Sequence, residues 1–232
     1  MKLALLGDIH GNHLALAAVL EAAAGHGAER LLVTGDLVGY YFWPREVLDL
    51  LQGWDAAVVR GNHEEMLARG LADGASLAAA EAKYGSGLRI AAEELDETRR
   101  DWLCTLPHPL ELTVDGRRIL LCHGSPRDLD RYVYPDASPE LIGTCILPGY
   151  DLVVMGHTHY PSRWQVGETL LVNPGSVGQP RNRVPGAHWM LYDTGSGEAT
   201  ARHADYDAGF VVAESRRRHP GLPYLAEVLE RR

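Results

Sequence analysis

Five apolar runs in this chain stop at the same kind of punctuation, a glycine or histidine turn carrying aspartate, asparagine or imidazole. Residues 3–6 run into Gly7-Asp8-Ile9-His10-Gly11-Asn12, and residues 31–34 run into Gly35-Asp36. Residues 56–60 precede Gly61-Asn62-His63-Glu64, residues 119–122 precede His123-Gly124, and residues 152–155 precede Gly156-His157-Thr158-His159. Short apolar runs bounded by turn residues read as buried strands. In open α/β sheets, ligands bind beyond the carboxyl ends of the strands. The five clusters are therefore expected to meet at one place.

Helical spacing at residues 14–24, behind Asn12 as a cap, and at residues 46–51 separates the first three runs. Strand, helix, strand, helix, strand implies a parallel sheet with right-handed crossovers. Residues 64–107, rich in alanine and glutamate, predict a helical excursion broken at Gly70, Gly74, Gly85 and Gly87. Beyond Pro109, residues 110–114 and 118–122 flank Asp115-Gly116, a hairpin signal. Residues 151–155 form a further buried strand, and 163–166, 169–172 and 188–192 read as a second, more antiparallel set. Helices are expected at 208–217 and 224–229. The pattern predicts an α/β fold of two packed sheets with helices outside, residues 1–232 forming one domain.

With 46% hydrophobic and 23% charged residues, the composition excludes disorder, collagen and coiled coil for the chain as a whole. The 22 basic against 31 acidic residues leave a net charge of -9, which argues against an extended nucleic acid or an anionic lipid surface as partner. Cys104, Cys122 and Cys145 are odd in number and widely spaced, so they build no disulfide framework or zinc ribbon. The start of the chain lacks a signal-peptide core, and no apolar run is long enough to cross a membrane. A cytoplasmic protein without a membrane partner is the expectation; oligomeric state stays open.

Oxygen and imidazole donors without thiolate suit manganese, iron, zinc, nickel or cobalt. Asp8 and His10, like His157 and His159, are two apart and share a face on an extended segment. Two carboxylates, four imidazoles and one amide oxygen exceed what one catalytic zinc with an open position takes. They suit two metals sharing a carboxylate.

In order, Asp-x-His, Gly-Asp, Gly-Asn-His-Glu, His-Gly and Gly-His-x-His resemble the calcineurin-like metallophosphoesterases from Asp8 to His159. The resemblance implies a four-layer α/β/β/α sandwich of two mixed sheets flanked by helices. It implies that Asp8, His10 and His159 bind one metal, that Asn62, His123 and His157 bind the other, and that Asp36 bridges them. His63 would face the leaving group as proton donor. Two divalent ions, manganese first among them, would clamp the phosphoryl oxygens and supply a bridging hydroxide for in-line attack. The expected substrate is a small phosphodiester or phosphomonoester, a nucleotide among the candidates. The reading from another class is a scaffold that keeps its metals and binds a phosphoprotein or nucleotide without turnover.

Plainer roles fit other residues. His13, His26, His188, His203 and His219 lack motifs and read as ordinary surface or partly buried histidines, Cys122 as a core thiol, and Arg216-Arg217-Arg218 as the basic end of a helix. Asn173-Pro174-Gly175-Ser176 is a structured turn. Arg181 beyond it, and Arg127 beyond His123, are candidates to meet a substrate phosphate. Gly35-Asp36-Leu37-Val38-Gly39 lacks the Asp-Arg-Gly that protein serine/threonine phosphatases of this superfamily place there. That departure weighs against a protein-phosphatase role.

Overall fold

The computed structural model describes residues 1–231. Its first strand, β1 (Lys2–Leu6), is covered on both sides, which explains an apolar run without alternation. Leu3 and Leu5 join the core between two sheets, whereas Ala4 and Leu6 pack with helices. There follow α1 (His13–Gly25), β2 (Arg30–Val33), α2 (Pro44–Gln52) and β3 (Ala56–Val58). Asn12 caps α1, its Oδ1 accepting from the Ala15 N–H at 3.2 Å. Pro44 opens α2, where its missing N–H costs nothing. β1, β2 and β3 pair in parallel, with Leu5 opposite Leu32 and Leu32 opposite Ala57.

The excursion is α3 (Asn62–Ala72), α4 (Gly74–Tyr84), α5 (Gly87–Glu94) and α6 (Glu97–Thr105). Gly70 does not break it: it lies inside α3, and its bare face receives the side chain of Leu77 from α4. A hairpin of β4 (Leu110–Val114) and β5 (Arg117–Leu121) turns at Asp115-Gly116. The remaining elements are α7 (Pro139–Thr144), β6 (Leu152–Val154), β7 (Ser162–Val166), β8 (Thr169–Asn173), β9 (Ala187–Asp193), β10 (Glu198–Ala204), α8 (Gly209–Arg218) and α9 (Tyr224–Glu230).

Two five-stranded mixed sheets result, in the orders β10-β9-β1-β2-β3 and β4-β5-β6-β8-β7. One expectation is corrected here. The strand at 188–192 belongs to the first sheet, antiparallel to β1, and not with β7 and β8. The turn after β8 carries the chain across, since Val177 N–H donates to Gly7 O and Gly178 N–H to Asp8 O, both at 3.0 Å. Helices α1 to α6 cover the outer face of the first sheet. The second sheet is covered by the thinner layer of α7 and its loops, with Ile142 and Cys145 against Leu120, Val153 and Leu171. This is the α/β sandwich that the motif order implied.

β5, β6 and β8 are parallel to one another, as are β1, β2 and β3, so each sheet aims a set of carboxyl ends at one edge. Hydrogen bonds bind the two edges together. His157 N–H donates to the Asp8 carboxylate at 3.1 Å, and His123 Nδ1 meets Thr34 O, just after β2, at 2.7 Å.

Candidate metal centre

All seven residues expected as ligands come together at this seam. Asp8, His10 and His159 form one group and Asp36, His123 and His157 another, with the donor atoms of each within 4.8 Å of one another. His10 Nε2 lies 3.1 Å from His159 Nε2, which lies 3.4 Å from Asp8 Oδ1. On the other side His123 Nε2 lies 3.1 Å from His157 Nδ1 and 3.0 Å from Asn62 Oδ1. A single oxygen stands between the groups: Asp36 Oδ2 is 3.7 Å from His10 Nε2 and 3.5 Å from His123 Nε2. Its other oxygen, Oδ1, accepts the His63 N–H at 2.8 Å.

Three imidazoles are held by their far nitrogens. His10 Nδ1 meets Val38 O at 3.2 Å, His123 Nδ1 meets Thr34 O at 2.7 Å, and His159 Nδ1 meets Gln179 O at 2.6 Å. A carbonyl only accepts, so each Nδ1 carries the proton and each Nε2 presents a lone pair inward. Such outer partners orient metal-binding histidines. Asp8, His10, Asp36, His157 and His159 all take left-handed backbone, with φ between 51° and 69°. Non-glycine residues hold such angles where the surroundings over-determine them, and functional sites are where this clusters.

Burial shapes the electrostatics of the cluster. Burial pushes the Asp8 carboxyl up to about 8 and Asp36 well above the usual carboxylate range. Burial likewise holds His10, His123 and His159 well below the ordinary imidazole value, and brings His157 to about 4 and His63 to about 3. Inward lone pairs with carboxylates beside them, and a buried His157 Nε2 without a partner, form a donor set that divalent ions fit.

Glu64, where the motif more often has aspartate, is fully buried and is in none of the candidate metal-binding groups. Its carboxylate accepts from Gly61 N and Asp36 N at 2.8 Å and from Leu37 N at 2.7 Å, pinning the turns of Asp36 and Asn62 to each other. Gly61 has to be glycine here because a Cβ would run into Asp36 Oδ1.

Residues 1–197 match the calcineurin-like phosphoesterase superfamily domain. The chain belongs to the calcineurin-like phosphoesterase superfamily. Phosphodiesterase YfcE of Escherichia coli is 29% identical over 199 residues, 82% of this chain and 87% of that protein. A metallophosphoesterase from Sphaerobacter thermophilus, 25% identical, superposes with a TM-score of 0.79, covering 100% of this chain and 99% of that one. A hypothetical protein from Pyrococcus horikoshii superposes with a TM-score of 0.82 over 98% of this chain and 97% of its own, a likeness of fold at 22% identity.

The other residues singled out in this calcineurin-like phosphoesterase divide sharply. His63 lines the cavity at the centre, its ring 4.6 Å from that of His10, and one of its nitrogens lies within 4.8 Å of the His10 and Asp36 donor atoms. Its Nδ1 has no partner and faces Gly39, where a Cβ would occupy the same space. Arg181 lines the same cavity, held by Nη2 donations to Tyr40 Oη at 3.2 Å and Gln179 Oε1 at 3.0 Å. Arg127 is exposed and does not line it. Asn173 anchors the loop of His157 and His159, its Nδ2 donating to Gly156 O at 2.7 Å. His188 is buried, with Nε2 3.0 Å from Val184 O. Sequence reasoning missed Tyr40, Tyr84 and Tyr132, which complete the wall. Lone tyrosines carry no spacing signal, and Tyr84 arrives from the end of α4.

Proposed function

We propose that this chain is a dinuclear metal-dependent phosphoesterase that hydrolyses a small phosphodiester or phosphomonoester, nucleotides among them. The observation carrying this reading is Asp36 Oδ2, 3.7 Å from His10 Nε2 and 3.5 Å from His123 Nε2, at the junction of both donor groups. In this reading Asp8, His10 and His159 hold one ion, Asn62, His123 and His157 hold the second, and Asp36 bridges. Bound there, two divalent ions supply Lewis-acid charge for the phosphoryl oxygens and an acidified water for in-line attack. We take manganese as the first candidate, with iron, zinc, nickel and cobalt as alternatives for a thiolate-free set.

The protein's own contribution is placement and proton transfer. The His63 N–H fixes Asp36 Oδ1 and leaves Oδ2 turned inward. The His63 ring is the proton donor to the departing ester oxygen. Because burial keeps it neutral, its protonation goes with an anionic phosphoryl group beside it. Arg181, with an unpaired Nε, is the phosphate-holding cation of the cavity wall. Three free cysteines, two of them buried, support a reducing cytoplasmic setting, and no described helix is long and apolar enough to cross a membrane. The net charge of -9 supports a small ester over an extended nucleic acid.

The test is hydrolysis of a panel of nucleotides, simple alkyl and nitrophenyl esters, single-stranded DNA and a phosphoprotein at matched manganese and ionic strength. Turnover of small esters exceeding that of the polymers, and lost on chelation, is expected. Metal retention without turnover of any ester would instead establish a binding scaffold.

A further inference from the structure

The cavity at the metal centre offers only about 50 Å³. A water needs about 10–15 Å³ of such space, so the cavity takes a phosphoryl group and little more. The organic part of an ester held there must lie across the mouth.

The mouth is aromatic. Tyr132 lies against the imidazole of His157, with ring centroids 4.0 Å apart, and stacks on Tyr134 at 5.7 Å with an interplanar angle of 15°. Tyr160, directly after His159, meets Tyr134 edge-on at 5.9 Å. Tyr132 and Tyr134 stay 46% and 42% exposed, while Val133 between them is buried in the core behind the second sheet. With Val133 anchored inside, the tyrosines on either side of it keep much of their rings in solvent. Tyr84 also lines the cavity, 5.4 Å from the His63 ring.

We infer that Tyr132 and Tyr134 form a stacking step that selects phosphoesters carrying a planar aromatic group, such as a nucleobase, over aliphatic ones. The inference rests on the phosphoesterase reading for its orientation, phosphoryl group inward and ring outward. The exposed surface of the stacked pair offers a base a flat aromatic platform at little entropic cost, and every base has a face to offer in return. An aliphatic ester gains far less there.

The test is calorimetric binding of thymidine 5′-phosphate and of ribose 5-phosphate to the manganese-loaded protein, with competitive inhibition constants as a second readout. Wild type should prefer the thymidine compound by about ten-fold or more, the scale on which alanine substitution removes base stacking. Tyr132→Ala and Tyr134→Ala should each erode that preference, and Tyr132→Phe should keep it. Phe210→Ala, a 51% exposed aromatic that does not line the cavity, should leave the preference as it is. Equal binding of the two ligands by wild type, or a preference surviving both alanine variants, would overturn the step. Hydrolysis of bis(p-nitrophenyl) phosphate by the same preparation separates the two claims. A preparation that shows the preference without turnover refutes the esterase and keeps the step.

Discussion

At the residue scale, the centre divides into atoms that face the reaction and atoms that hold those in place. His63→Asn should retain both ions and the fold while kcat falls by roughly 10²- to 10⁴-fold on alkyl esters. A nitrophenolate hardly needs a proton, so the loss should shrink there. A parallel loss of metal by elemental analysis would make His63 a ligand, which its 4.8 Å proximity to His10 and Asp36 makes a real contest. Glu64→Gln replaces an acceptor-only group by one that also presents N–H to N–H. With charge-assisted bonds to Gly61, Asp36 and Leu37 at stake, denaturant unfolding should show a loss of about 1.5–3 kcal/mol, with weaker metal binding in the same variant. The residues that gather at the seam were legible in the sequence because each sits at a fixed offset from an apolar run and because chelation would demand particular residue types. Arg181 was legible as a candidate phosphate contact no better marked than Arg127, and only the fold separates the two, since Arg181 alone of them lines the cavity. Tyr40, Tyr84 and Tyr132 were not, since an isolated tyrosine reads equally as core or surface until the chain is folded.

At the element scale, strands covered on both faces were legible because burial on two sides leaves runs without alternation. β10 was not: Glu198–Ala204 is an edge strand whose residues are mostly exposed or half-buried, so it lacks the apolar run that marks the buried strands. α7 is six residues long, too short to show a helical period. The sheet membership of β9 depended on the Ser176–Gly178 backbone bonds to Gly7, Asp8 and His188, which no local pattern encodes. Register within β1 is the firmer lesson, because Leu3 and Leu5 face one core and Ala4 and Leu6 the other. Leu5→Ala should therefore open a cavity between the sheets and cost about 2–5 kcal/mol in unfolding free energy. A cost below 1 kcal/mol would mean that the inter-sheet core at Leu5 is loosely packed.

At the scale of the whole molecule, two sheets bring five strand ends to one seam, and the seam is stable in proportion to what neutralises it. Asp8 and Asp36 are buried carboxylates whose burial disfavours charge, with Arg181 as the cation that opposes it. Ions that bind the folded chain alone stabilise it by mass action, about 2.7 kcal/mol per site at a hundred times the dissociation constant. Chelation should accordingly lower Tm, and manganese should restore it. An unchanged Tm on complete removal of metal would mean that the fold tolerates the cluster uncompensated. The central claim is that two ions sharing Asp36 are needed for ester hydrolysis, and the most direct measurement is the initial rate on bis(p-nitrophenyl) phosphate against manganese bound per chain. The account predicts that the rate rises as the second ion binds, and that Asp36→Asn, at the same free manganese, holds neither ion firmly and stays inactive. Full activity at one ion per chain, or an Asp36→Asn protein that keeps two ions, would contradict it.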